Sequence, residues 1–196
     1  MAKEEVMNVG EFKSNFDGGS RSNRFLIQGD IGGNGDVNSI VVKAGSVPAV
    51  TLGILRVPFR GRVVKIPGDR TYEEWTFTVM DGFTPGSGKP ATEMHSKFLF
   101  WNAEFNEHEA NVPGPNFGKG EVVDLNSATL FADWSVVMLG LDGSEGRKIT
   151  LHKCWPVVVS EIALSYDNAD TISEYTVTMA YDYISGDGIN TSPTPG

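Results

Sequence analysis

Residues 56–80 run RVPFRGRVVKIPGDRTYEEWTFTVM, and the fold class turns on this stretch. Residues 71–79 alternate: Trp75, Phe77 and Val79 fall on one side of an extended chain, Glu74, Thr76 and Thr78 on the other. Successive side chains of a strand point to opposite faces. A period of two therefore predicts a strand with one face in an apolar core and the other in water or against a partner. Residues 60–66, with Val63, Val64 and Ile66, predict a shorter strand before it. Pro67, Gly68, Asp69 and Arg70 lie between them. Proline presets φ for a turn and glycine tolerates positive φ, so the expectation is a β-hairpin turning at 67–70.

The same pattern recurs in the last third. Residues 134–141 and 147–154 predict strands around a Gly-rich loop at 142–146, with Trp155-Pro156 ending the second. Residues 157–166 and 171–183 predict another pair around Asp167-Asn168-Ala169-Asp170. In the last of these, Tyr175, Val177, Met179 and Tyr181 share one side, and Glu174, Thr176, Thr178 and Ala180 the other. Nearer the start, residues 22–27 open a first strand and 39–43 form a short apolar one. Asp30-Ile31-Gly32-Gly33-Asn34-Gly35-Asp36 joins them as a hairpin connection. A calcium-loop register from Asp30 fails, because Val41 stands where a bidentate glutamate is required.

One helix is predicted. Met94, Phe98, Trp101 and Phe105 recur at helical spacing after Thr92, a candidate N-cap, and Glu93 in the first turn. Val112-Pro113-Gly114-Pro115 stops it, and 111–130 has the character of an insertion without an assignable role. Residues 44–58, AGSVPAVTLGILRVP, alternate little and hold much apolar surface for a loop, which implies a partner.

Composition narrows the function. At 196 residues, 40% hydrophobic and 21% charged, the chain suits one soluble domain. Its net charge of −9 opposes a grip on nucleic acid, which needs clustered Lys and Arg. The opening MAKEEVMNVG lacks the apolar core of a secretory leader, and no run is long enough to span a bilayer, so no membrane role is expected. Cys154 is the only cysteine, which fits a reducing compartment. His95, His108 and His152 lack metal-ligand spacing. His152 and Cys154 share a strand face, but a nucleophile pair also needs an orienting group and a pocket. The expectation is a protein that is not an enzyme and carries no metal or cofactor.

Several motifs, in order, resemble the tube proteins of contractile (myovirus-type) phage tails. They are SNRFLI at 22–27, Val47-Pro48 followed by Thr51-Leu52-Gly53, GRVVKIPGDRTYEEWTFTV at 61–79, the single helix, and PVVVSEIALSYDNADTISEYTVTMAYDY at 156–183. The resemblance covers about 21–183, less 111–130. It implies a 1–20 N-terminal arm, a 21–183 tube domain and a 184–196 tail. The implied fold is mainly β, with two packed antiparallel sheets forming a barrel-like sandwich and one α-helix.

The implied function is structural: homo-hexameric rings stacked into a hollow tube. A sheath protein would lie outside, and baseplate and terminator proteins at the ends. A tape-measure protein and then DNA would occupy the lumen, in a virion assembled in the host bacterial cytoplasm. By the same resemblance Val47, Pro48, Val50, Leu52, Ile54 and Leu55 belong to a loop that reaches a neighbouring subunit. Three predicted strands carry small polar faces with a glutamate: Glu74, Thr76 and Thr78; Glu161, Ala163 and Ser165; Glu174, Thr176 and Thr178. In a tube these would line the lumen. Two alternatives stand beside this. One is the tube of a phage-derived injection or type VI secretion system. The other is a β-sandwich carbohydrate-binding module using Trp75, Trp101, Trp134 and Trp155.

Overall fold

The computed structural model describes residues 9–16, 20–32, 36–37, 41–82, 94–109, 112, 114, 130–167 and 170–187. Helix α1 spans Val9–Phe16 and helix α2 spans Met94–Ala103. The strands are β1 (Phe25–Asp30), β2 (Asp36–Val37), β3 (Val42–Gly45), β4 (Val50–Phe59), β5 (Arg62–Tyr72) and β6 (Trp75–Met80). They continue with β7 (Ala132–Leu139), β8 (Glu145–Val159), β9 (Glu174–Ala180) and β10 (Tyr183–Gly186). An eight-stranded sheet runs β2-β1-β7-β8-β9-β6-β3, with β10 also on β8, and β4-β5 forms a separate two-stranded sheet. Every pairing is antiparallel.

The large sheet folds over on itself at β8. The first part of that strand pairs with β7 and β10, the part beyond Cys154 with β9. Lys153, at φ 56°, sits at the change of direction. A non-glycine residue with positive φ is uncommon and re-aims the chain. The two layers of the expected sandwich are thus halves of one folded sheet. Trp134 of β7 meets Phe77 and Trp75 of β6 across the core, at ring distances of 5.2 and 6.1 Å. Helix α2 covers one end: Phe98 lies 6.2 Å from Phe77 and 6.1 Å from Trp134, and Trp101 Nε1 donates to Leu130 O at 2.8 Å. Trp75, Trp101 and Trp134 are all buried. A buried aromatic removes about 150–250 Å² from water, on the order of 4–6 kcal/mol each before chain entropy is counted.

The alternation on β6 and β9 is as expected. Trp75, Phe77 and Val79 are buried, as are Tyr175, Val177, Met179 and Tyr181. So is the helical face, with Met94, Phe98 and Trp101 buried and Phe105 packed against the core beyond the helix end.

Four expectations are corrected. First, the chain does not turn at 67–70. Strand β5 runs through Pro67, Gly68, Asp69 and Arg70, and its partner is β4 rather than β6. The turn is at Arg60 (φ 43°) and Gly61 (φ 80°), the left-handed pair that a two-residue hairpin of matching twist requires. Gly68 and Asp69 are absorbed as an irregularity opposite Gly53, where the backbones come so close that a Cβ on Gly68 would lie 3.2 Å from the Gly53 carbonyl carbon. Proline is tolerated beside such an irregularity.

Second, the 44–58 segment is not a loop beyond residue 50, because β4 is a ten-residue strand. Third, Trp155-Pro156 does not end β8, which continues to Val159 past a register shift between Pro156 and Val158. Residues 160–165 are then not strand. Fourth, β10 carries the fold beyond residue 183, and α1 is a second helix, exposed, with Phe12 and Phe16 stacked at 5.1 Å. Of the 111–130 stretch, Gly114 abuts Glu104 O at the end of α2, and Val112 O accepts from Glu107 N–H. Thr92, Glu93 and nearly all the rest of 111–130 lie outside the described residues.

Candidate assembly surfaces

The β4–β5 hairpin is an arm with no covered face. Adjacent residues of a strand point to opposite sides. Ile54 and Leu55 are nevertheless 56% and 58% exposed, Val63 and Val64 are both exposed, and Phe59 at the tip is 60% exposed. Val47, Val50 and Leu52 are exposed too, and Pro48 is half-buried. Val47 and Pro48 precede β4; Val50, Leu52, Ile54 and Leu55 lie on it. At its root Tyr72 meets Tyr181 at 5.7 Å, and Trp75 Nε1 donates to Ser46 O at 2.7 Å. A two-stranded hairpin with both faces wet is marginal by itself. Its charge is also opposite to the chain's: residues 50–72 hold Arg56, Arg60, Arg62, Lys65 and Arg70 against Asp69 alone.

The polar face of β6 and β9 is a second surface. Register places Thr76 opposite Thr178 and Thr78 opposite Thr176, and the Thr76 and Thr178 hydroxyls meet at 3.0 Å. The row continues past Thr176, whose N–H donates to Ser160 Oγ at 2.8 Å. At the other edge Lys43 of β3 pairs with Glu174 at 2.5 Å, so that carboxylate has its own cation. Glu74 is exposed in the two-residue link before β6. Glu161 and Ser165 do not join this face by strand geometry, because 160–165 is not strand, although Ile162 between them packs against the core. The structure therefore gathers Thr76, Thr78, Thr176, Thr178 and Glu174, and leaves Glu161 and Ser165 apart. Lys43 and Ser160 were missed in the sequence, because only register shows them on this face.

His152 and Cys154 do not share a face. The positive φ at Lys153 puts Leu151 and Cys154 in the core, whereas His152 is half-buried. Burial pushes the Cys154 thiol far up, which keeps it protonated and inert. His152 bonds elsewhere: Nδ1 to Asp133 Oδ2 at 2.7 Å and Nε2 to Ser185 Oγ at 2.6 Å. A carboxylate only accepts, so Nδ1–H donates to Asp133, and Nε2 pairs with the Ser185 hydroxyl.

The order Asp-His-Ser has the form of a nucleophile relay, but the Asp187 N–H nearby already donates to Lys148 O rather than facing an open oxyanion position. Tyr183 stacks on the imidazole at 4.5 Å. The arrangement clamps β7, β8 and β10 together. Among the described residues no three His, Cys, Asp or Glu side chains gather as a metal site. Trp155 is half-buried, edge-on to Phe131 at 5.9 Å. With the other three buried, the four tryptophans do not form the exposed platform that a sugar-binding module would present.

No protein-family model matches the chain. It is 25% identical over 168 residues to the Tail tube protein gp19 of Enterobacteria phage T4, a match covering 86% of this chain and 93% of that one. Identity to the Tail tube protein gp19 of Enterobacteria phage T6 is 26% over 177 residues, with the same two shares. Among solved structures, a chain of the six-fold symmetrised anti-feeding prophage baseplate superposes with TM-score 0.56 at 12% identity, over 87% of this chain and 96% of its own. A chain of the sheath–tube complex of an extracellular contractile injection system, PVC, in the extended state, superposes with TM-score 0.55 at 11% identity, over 88% and 95%. At such identities the superpositions speak to the fold.

Proposed function

We propose that this chain, a member of the contractile-tail tube protein family, is the repeating subunit of the inner tube of a phage tail. The observation that carries the proposal is its relationship, over 86% of its length, to proteins named as tail tube proteins. The arm gives that relationship a physical reason. A strand pair that exposes Ile54, Leu55, Phe59 and Val63 is stable when a neighbour covers it, and repeated copies supply one.

In this reading, hexameric rings stack into a hollow tube within a virion assembled in the host bacterial cytoplasm. A sheath lies outside, baseplate and terminator proteins at the ends, and a tape-measure protein and then DNA in the lumen. The threonine face of β6 and β9 is the lumen wall. Its side chains are short, and the Lys43–Glu174 pair leaves it almost without net charge. DNA is held by clustered cations, which this wall lacks, so a duplex slides along it. Five of the chain's sixteen lysines and arginines lie on the arm instead.

The runner-up is the same tube in a phage-derived injection system. The anti-feeding prophage and PVC chains favour it on fold alone. Capsid and terminase genes beside this one would assign it to a phage, toxin and ATPase genes to an injection machine. Sedimentation of the purified chain tests the subunit reading itself. Rings, and tubes above a threshold concentration, are expected; one monomeric species at every concentration and salt would overturn it.

A further inference from the structure

Residues 161–167 and 170–173 carry a second, largely exposed surface, and its chemistry is the complement of the arm's. A groove of about 230 Å³ opens between Ala163, Leu164 and Ser165 on one side and Thr171, Ile172 and Ser173 on the other. Leu164 is 85% exposed and Ile172 65%. The segment carries Glu161, Asp167 and Asp170 and no lysine or arginine of its own, while Glu174, which also lines the groove, is already paired with Lys43. The arm, in contrast, has Phe59 at its tip, with the Arg60 guanidinium over the ring at 5.6 Å and Arg62 beginning the return strand. Phe59 and Leu164 are both exposed in the same chain, so the two surfaces do not cover each other within it.

We propose that this groove is the receptor for the arm tip of a second copy of the chain. Phe59 enters between Leu164 and Ile172, and Arg60 and Arg62 face Glu161 and Asp170. The contact joins two different patches, so it propagates from copy to copy instead of closing a two-fold dimer. That is the geometry stacking needs, and the inference rests on the tube reading. Exposed ion pairs add little affinity singly, but like charges brought together oppose docking strongly, so charge reversal is a sharp probe.

The test uses two full-length variants. Arg60→Glu with Arg62→Glu gives an acidic tip, and Glu161→Lys with Asp170→Lys gives a basic groove. Each alone is expected to raise the threshold concentration for tube formation about tenfold or more. Mixed in equal amounts they are expected to assemble again, because each variant's arm then fits the other's groove. In a Cys154→Ser background, Phe59→Cys in one chain and Leu164→Cys in another should form a disulfide between chains within assembled tubes.

Tubes indifferent to the groove variant, a mixture that fails to recover, or a Phe59→Cys chain that cross-links only to its own kind would overturn the inference and leave the tube reading standing. An unmodified chain that never assembles would remove the tube reading, and this inference with it.

Discussion

Replacing Ile54, Leu55 and Phe59 together with threonine should leave the fold intact and abolish assembly at ordinary concentrations. These three side chains retain 56%, 58% and 60% of their exposure in the single chain. Fully burying such a side chain is worth about 1.5–3 kcal/mol, and a little over half of that remains to be gained on assembly, so about 1–1.5 kcal/mol each. The sum is about 3–4 kcal/mol. At about 1.4 kcal/mol per tenfold, the threshold concentration for tube formation should rise by two to three orders of magnitude. Threonine keeps the β preference of the hairpin, so the loss is one of apolar contact. Light scattering against concentration gives the threshold, and thermal melting followed by circular dichroism gives the fold. An unchanged threshold, or a collapsed melting temperature, would show that the arm is packed inside the subunit and would refute the reasoning.

The core makes its own predictions. Gly29→Ala places a Cβ 2.2 Å from Trp134 Cδ2, and the indole is held by Phe77, Trp75, Phe98 and the Asp30 carbonyl. It should destabilise by about 1–3 kcal/mol in denaturant unfolding, and a variant as stable as the parent would mean the ring can yield. Tyr175→Phe removes a buried hydroxyl with no hydrogen-bond partner among the described residues, so it should be neutral or stabilise by up to about 1 kcal/mol. Burial raises the Tyr175 phenol, so the unfolded chain deprotonates first as pH climbs past about 10, and stability is lost from there upward. Melting curves across that range should fall less steeply for the phenylalanine variant; identical slopes would contradict the assignment. On the wall, Thr178→Cys with Cys154→Ser should react in assembled tubes with a small maleimide and not with one too bulky to enter. Equal labelling by both would place this face outside.

Local periodicity was legible where one face of an element is buried. Trp75, Phe77 and Val79 on β6, Tyr175, Val177 and Met179 on β9, and Met94, Phe98 and Trp101 on α2 all declare their buried side, because burial imposes period two or 3.6 on the sequence. The arm was not legible as a strand pair for the same physical reason. With both faces exposed, residues 50–66 have no alternation to display, and Pro67-Gly68 imitated the turn that Arg60-Gly61 makes. The apolar excess of 44–58 did mark a segment whose apolar side chains are exposed in the single chain. The polar face of β6 and β9 was half legible: Thr76, Thr78, Thr176 and Thr178 follow from alternation, but Lys43 beside Glu174 depends on strand order. Glu161 and Ser165 were placed with them because 157–166 has strand-like composition. The strand ends at Val159, and Ser160 Oγ then accepts from the Thr176 amide as the chain leaves the sheet.

Electron cryomicroscopy of the chain assembled at high concentration is the most direct test. The expected result is a hollow tube of stacked hexameric rings, with Thr76, Thr78, Thr176 and Thr178 lining the bore and each β4–β5 arm seated on a neighbouring copy. A solid filament, a tube with those threonines on its outer surface, or particles that remain single chains would contradict it.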